Sequence, residues 1–172
     1  MSADTERIKR FEEAVLPHLD SAHNLARWLT GDDADAGDAV QEACVRAMKY
    51  FGGFQGGDAR PWFMTIVRNC AYDALARRPK SAELNEEAAP PPASEDSIES
   101  SMEKSDERAA LGRALEALPP EFRETIVLRE LEGLSYKEIA AVTGAPIGTV
   151  MSRLSRARLL LTKRLGGPEG VS

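Results

Sequence analysis

The sequence predicts an all-α protein: two small helical domains joined by a flexible acidic linker, with a helix-turn-helix in the C-terminal one. Apolar residues recur at helical spacing over most of the 172 residues. Ala and Leu dominate while aromatics make up only 6%, a balance that suits helices better than sheets. One central stretch is too polar to bury a core.

The first domain is read over 1–80. Between residues 5 and 29, Ile8, Phe11, Val15, Leu19, Ala22, Leu25, Ala26 and Leu29 repeat with helical period. Pro17 interrupts them. Because proline removes an amide donor and clashes with the preceding turn, a kink or two shorter helices are predicted there. Gly31 and the acidic run GDDADAGD close this section. A second helix is predicted from about Asp35 to Phe51, with Ala36, Val40, Ala43, Cys44, Ala47 and Phe51 on one side. The glycine-rich FGGFQGGDAR reads as a loop. A third helix begins near Arg60, with Pro61 in the first turn, where proline is tolerated, and stops at Pro79.

The linker is read over 81–106. Through Glu107 this stretch holds three consecutive prolines and nine acidic residues against Lys104. Its charge of −8 leaves +2 on the rest of a chain whose total is −6. The tether is strongly acidic, and the folded parts are slightly basic.

The second domain is read over 107–166 as four short helices. The first covers about 107–117, and the second runs from Pro119-Pro120 through EFRETIVLREL to Gly133. Ser135 and Glu138 then have the spacing of a capping box. Gly144 suits a left-handed helix end, and Pro146 suits the start of the next helix. Two helices around a tight glycine turn read as a helix-turn-helix.

On its second helix, Ile147, Val150, Leu154, Leu161 and Leu165 follow a core-facing period. Thr149, Ser152, Arg153 and Arg156 fall at i, i+3, i+4 and i+7 on another face. Small residues there let the backbone approach a partner, and the arginines present bidentate forks for phosphates or guanine edges. From Lys137 to Arg164, six basic residues including Arg158 face the single acid Glu138, a local +5 in a chain of pI near 5.1. That reversal of charge predicts DNA contact.

Other classes are disfavoured. Cys44 and Cys70 are too few for a disulfide scaffold and read as buried reduced thiols. With His18 and His23 they lack metal-site spacing, so no metal or cofactor is expected. No carboxylate cluster or Cys–His pair has catalytic spacing, so no enzyme activity is expected. MSADTERIKR lacks an apolar signal core, and no apolar run approaches the roughly 20 residues of a membrane span. A soluble, cytoplasmic protein is expected.

Two separated segments carry a family resemblance. LPPEFRETIVLRELEGLSYKEIAAVTGAPIGTVMSRLSRARLLL resembles region 4 of bacterial sigma factors of the extracytoplasmic-function (ECF) type. DADAGDAVQEACVRAMKYF is similar to their region 2.2, and RPWFMTIVRNCAYDALARR to regions 2.3 and 2.4. The resemblance covers most of the chain in the family's order. It implies that Asp35, Asp38, Gln41 and Glu42 bind the clamp helices of core RNA polymerase, although Asp35 is also explained as a helix cap. Asp32, Asp33 and Asp35 have no nearby base in sequence before Arg46.

The resemblance further implies that Phe54, Gln55, Arg60, Trp62, Arg68, Asn69, Tyr72, Arg77 and Arg78 face the −10 promoter element. Lys137, Thr149, Ser152, Arg153, Arg156 and Arg158 would face the −35 element. Trp62 and Phe63 stand where housekeeping sigma factors carry paired tryptophans, and one is missing here. The linker would pass through the polymerase's basic channels. Implied partners are core RNA polymerase (clamp helices and flap), promoter DNA and an anti-sigma factor, with no membrane insertion and a monomeric free state. Two rivals stay open: a sigma mimic that sequesters an anti-sigma factor, and a simple helix-turn-helix repressor. The first would dispense with the DNA-facing arginines; the second would not need the acidic DAVQE helix.

Overall fold

The structure, a computed structural model, describes residues 2–79 and 98–166, with side chains from Ser105 onward in the second stretch. Most of the segment read as linker lies outside the described residues. The described residues form helices α1 (Ala3–Val15), α2 (Leu19–Thr30), α3 (Asp33–Tyr50) and α4 (Ala59–Arg77), then α5 (Ile98–Glu116), α6 (Pro120–Ile126), α7 (Tyr136–Thr143) and α8 (Ile147–Arg164). No strand occurs among them.

The ends of these helices follow from local chemistry. Pro17 sits in a short 3-10 turn, Leu16–His18, that divides α1 from α2. Gly31 closes α2 at φ 75°, a left-handed conformation that glycine adopts without a Cβ clash. Ser2, Asp32 and Asp58 cap α1, α3 and α4 by accepting amide hydrogen bonds. α6 runs into a π-helical stretch, Val127–Leu131, before Gly133. Ser135 and Glu138 form the reciprocal capping box of α7, and Gly144 ends that helix at φ 73°.

α2, α3 and α4 pack on one another around Leu25, Phe63, Met64 and Val67. α6 and α7 pack on α8 around Leu128, Ile139 and Leu154. The two groups also meet: α7 lies on α4, α6 lies on α2, and one buried cluster runs through both.

Several expectations need correction. α5 starts at Ile98, inside the stretch 81–106 read as linker. Low apolar content argued against a buried core there, but Glu, Met, Lys and Ser tolerate a helix without one. Ile8 is 47% exposed, and Ile147 and Leu165 are 48% and 46% exposed, so none belongs to the core their periodicity suggested. Ile147 and Leu165 lie at the two ends of α8, whereas Ile8 is in the middle of α1, on a part of that helix that no other element covers. α3 starts earlier than the predicted Asp35, and its cap is Asp32, whose carboxylate accepts from the Asp35 amide at 2.8 Å.

Candidate nucleic-acid interface

α8 follows its apolar pattern in its middle turns, though not at Ile147 and Leu165. Val150, Leu154 and Ala157 of α8 are buried, while Ser152 and Arg156 are exposed and Thr149 and Arg153 half-buried. Neither Arg153 nor Arg156 makes an ion pair among the described residues. Lys137 is exposed in the first turn of α7. Arg158 differs: its Nη2 and Nε donate to Glu130 Oε1 at 2.6 and 3.0 Å, and that bond raises the pKa of its guanidinium. Met151, 47% exposed beside Ser152, was assigned no role on sequence grounds.

The α4 surface is organised differently. Phe54 packs on Trp62 with ring centroids 5.1 Å apart, and Phe51 lies within 5.8 Å of Phe54 and 6.2 Å of Trp62. The glycine-rich loop is thereby pinned on an aromatic cluster, with Gln55 exposed at its turn and Gly56 and Gly57 at positive φ. Asn69 is exposed.

Arg68 and Tyr72 face the second half of the molecule. Arg68 Nε and Nη2 donate to the two carboxylate oxygens of Glu124 at 2.6 and 3.0 Å. Tyr72 Oη donates to the same carboxylate at 3.0 Å, and Arg68 also stacks on the Tyr72 ring. Glu124 is 1% exposed. Burial disfavours the Arg68 charge, but the Glu124 carboxylate outweighs it and raises the guanidinium pKa. Burial, reinforced by Glu124, pushes the Tyr72 phenol up. Arg60 Nη1 donates to the Glu132 carbonyl at 3.1 Å, while its buried Nε has no hydrogen-bond partner.

Arg77 and Arg78 turn the other way, toward α3. Arg77 Nη2 meets Glu42 at 3.2 Å, and Arg78 pairs with Asp35 while donating to the Thr30 carbonyl at 2.9 Å. Asp35 is therefore not a helix cap, and the acids of α3 do have bases nearby, supplied by tertiary contact. Arg46 bridges Glu42 at 2.8 Å and Asp73 at 3.1 Å. Hydrogen bonds from Arg46 and then Arg77 hold the Glu42 carboxyl below its ordinary range. Asp38 and Gln41 are exposed. A cleft of about 560 Å³ opens here, lined by Asp32, Asp35, Asp38, Arg77 and Arg78. Seven of the nine −10 candidates thus fall into three groups: an aromatic loop (Phe54, Gln55, Trp62), a pair facing Glu124, and a pair facing the α3 acids; Arg60, bonded to the Glu132 carbonyl, and exposed Asn69 belong to none.

Sequence reasoning missed Glu124 and Arg123. Arg123 donates to the carbonyls of Leu115, Glu116 and Leu118 at 3.0, 2.8 and 2.8 Å, closing the C-terminal end of α5. It also reaches the Trp28 carbonyl of α2 at 3.4 Å. A cue for both existed: Arg123 and Glu124 sit between Phe122 and the apolar run Ile126-Val127-Leu128. Cys70 is buried, which raises its thiol pKa to about 11, and Cys44 is half-buried. Among the described residues no group of His, Cys, Asp and Glu is placed to hold a metal, and no helix is long and apolar enough to cross a membrane.

Comparison with known proteins matches this organisation. Residues 14–80 match the sigma-70 region 2 family, and residues 108–161 match sigma-70 region 4. The chain is 36% identical over 162 residues to the ECF RNA polymerase sigma factor SigE of Mycolicibacterium smegmatis, spanning 91% of this chain and 62% of that protein. It is 34% identical to the RNA polymerase sigma-H factor of Pseudomonas aeruginosa, covering 93% of this chain and 91% of that protein. With the ECF RNA polymerase sigma-E factor of Escherichia coli K12 it shares 38% identity over 72% of this chain and 70% of that one. Among solved structures, the sigma factor RpoE in complex with the anti-sigma factor NepR from Bartonella quintana superimposes with TM-score 0.76 at 30% identity, over 92% of this chain and 98% of that one. CnrH in complex with the cytosolic domain of CnrY gives 0.68 at 27% identity, over 92% and 88%. The chain belongs to the ECF RNA polymerase sigma factors, and its function is that of an alternative sigma factor, directing transcription from promoters.

Proposed function

We propose that this sigma factor joins core RNA polymerase through the exposed α3 face around Asp38 and Gln41, with Asp35 and Glu42 behind it. It reads a −35 element with α8 and a −10 element with the α4 surface. The observation that carries this reading is the pair Arg153 and Arg156. They stand on the outer side of a helix whose inner side is buried, with no carboxylate among the described residues neutralising them. A repressor or a sequestering mimic has no need of both that face and the acidic α3 face.

The chain carries out no covalent chemistry itself. It works inside the cytoplasm, where polymerase is, and an anti-sigma factor is its natural inhibitor, as for the solved relatives held by such partners. Each DNA contact alone is weak. Docking on polymerase makes the second contact intramolecular and raises its effective concentration. Phe54, Gln55 and Trp62 offer the aromatic surface on which an unstacked base can rest.

The test is run-off transcription with purified core polymerase on a library of genomic fragments. Discrete start sites that require this chain support the reading. Failure to co-migrate with core polymerase, or start sites unchanged by its addition, would overturn it.

A further inference from the structure

Most of the middle of α8 is explained by what it touches. Val150, Leu154 and Ala157 fill the core, and Arg158 is held by Glu130. Met151 belongs to neither set. It is 47% exposed, stands outside the buried cluster, and lies four positions after Ile147, itself 48% exposed. Side chains four positions apart are neighbours on a helix, so the two form a small apolar patch on the first turns of α8. Short residues surround it: Gly148, Ser152 and Ser155 are all exposed. A Cβ added at Gly148 would meet nothing within 4 Å, so the surface over that turn is open. Long side chains on a helix lean toward its N-terminus, and a recognition helix sets its N-terminal residues against base edges.

The chemistry of Met151 sets it apart from its neighbours. Thr149, Ser152, Arg153 and Arg156 can all donate hydrogen bonds, whereas a thioether has no donor to offer a phosphate or a base. The major groove presents one apolar group, the C5 methyl of thymine. An unbranched, polarizable side chain adapts to such a surface, and the short residues around it let the helix come close.

We infer that Met151 selects a thymine in the −35 element by packing on the C5 methyl group of that base. The inference rests on the reading of α8 as the −35 reader, given above. It adds a base that one position requires and the contact that requires it. Cytosine at the same place offers no methyl and is disfavoured.

The test uses holoenzyme assembled from core polymerase and the full chain, on a promoter duplex found by run-off transcription. Each thymine in either strand of its −35 element is replaced singly by deoxyuridine, which keeps the base pair and removes only the methyl group. Competition binding compares each duplex with its parent for wild type, Met151→Ala and Ile8→Ala, the last an equally exposed control on α1. For wild type and Ile8→Ala, deoxyuridine at one position is expected to weaken binding about fourfold, the worth of one buried methyl-sized group. Met151→Ala should bind the parent weaker by a similar factor and be indifferent to deoxyuridine at that position. The inference is overturned if wild type is insensitive to every replacement, if the −35 element holds no thymine in either strand, or if the methyl effect survives Met151→Ala. Loss of holoenzyme assembly in Met151→Ala overturns it too, by placing the side chain against polymerase. Arg156→Ala separates the two levels of failure. If it weakens binding to the parent duplex while the methyl effect ignores Met151, the −35 reading stands and this inference falls. If it leaves binding unchanged, α8 does not read the −35 element and both fall.

Discussion

Two arginine-bearing helices, α4 and α8, carry their charge in opposite ways. On α8, Arg153 and Arg156 project from a helix whose inner face packs on α6 and α7, and no carboxylate among the described residues meets them. On α4, Arg68, Arg77 and Arg78 are each matched to an acid: Glu124, Glu42 and Asp35. α8 presents Arg153 and Arg156 and engages Arg158, whereas those three arginines of α4 and its C-cap are all engaged. A count of basic residues therefore does not separate a presented cation from an engaged one, whereas the pairing does.

The sharpest way to break this comparison is to remove one arginine from each helix. Arg68→Ala leaves Glu124 buried without its main partner. Breaking such a pair costs about 3 kcal/mol or more where the survivor stays buried. Should the halves part instead, Glu124 returns to water and the loss is smaller. Urea denaturation is expected to show a large fall in stability or a less cooperative transition. Arg156→Ala is expected to change stability by less than about 0.5 kcal/mol, as for most surface substitutions. If the two variants melt alike, the distinction between engaged and presented cations fails.

The second effect is on DNA. Arg153→Ala and Arg156→Ala are each expected to weaken −35 binding by about 1–3 kcal/mol if they touch a base edge, or to lower the salt slope by about 0.9 if they touch phosphate. Filter binding across a salt series separates the two, and binding to core polymerase should be unchanged. Arg158→Ala sharpens the contrast within α8 itself. Its guanidinium is already committed to Glu130, so its loss is expected to affect DNA binding less than that of Arg156. A larger loss from Arg158→Ala would mean that the Glu130 pair gives way to DNA.

What could be read from the sequence is what local chemistry fixes. The capping box of Ser135 and Glu138, the left-handed Gly144, the proline start of α8 and the division at Pro17 each depend on residues within a few positions of one another. The pairs that set the state of α4 do not. Arg68 and Glu124 are 56 positions apart, and Asp35 and Arg78 are 43 apart. Helical periodicity relates only i+3 and i+4 neighbours, so it could place Arg68 on a face without showing what lies against that face. The same blindness put Ile147 and Leu165 in the core: their phase is right, but no partner helix extends far enough to cover them. It also set the linker boundary too late, since composition detects missing burial rather than missing helix.

A smaller test addresses the local part of this lesson. Ser135→Ala removes one half of the capping box, leaving the Glu138 amide without its acceptor at 3.1 Å. The expected cost is about 1 kcal/mol, seen as a lower melting temperature. Because α7 packs on both α4 and α8, the loss should be felt where α7 meets α4 as well as in the helix-turn-helix. Hydrogen exchange can follow this: faster exchange in α7 with α4 unchanged would show that the α4 contact does not depend on the cap.

The smallest expected effect lies on the α3 side of α4. Glu42 is hydrogen-bonded by Arg46 and Arg77, both at least a third exposed, so solvent screening keeps the contribution below about 1 kcal/mol. Its carboxyl titrates below its ordinary value of 4.5 in the folded chain. The folded state therefore holds the proton less tightly than the unfolded one. Its stabilisation is present above pH 4.5 and is lost as pH falls through the lowered value. Glu42→Gln should accordingly be slightly less stable than wild type at neutral pH and approach it in acid. Thermal melts of both proteins from pH 7 down to about 3.5 measure this. A constant gap across that range would mean that Glu42 contributes through shape rather than charge, and that the α3 pairs, unlike the Arg68–Glu124 pair, are not held by electrostatics at all.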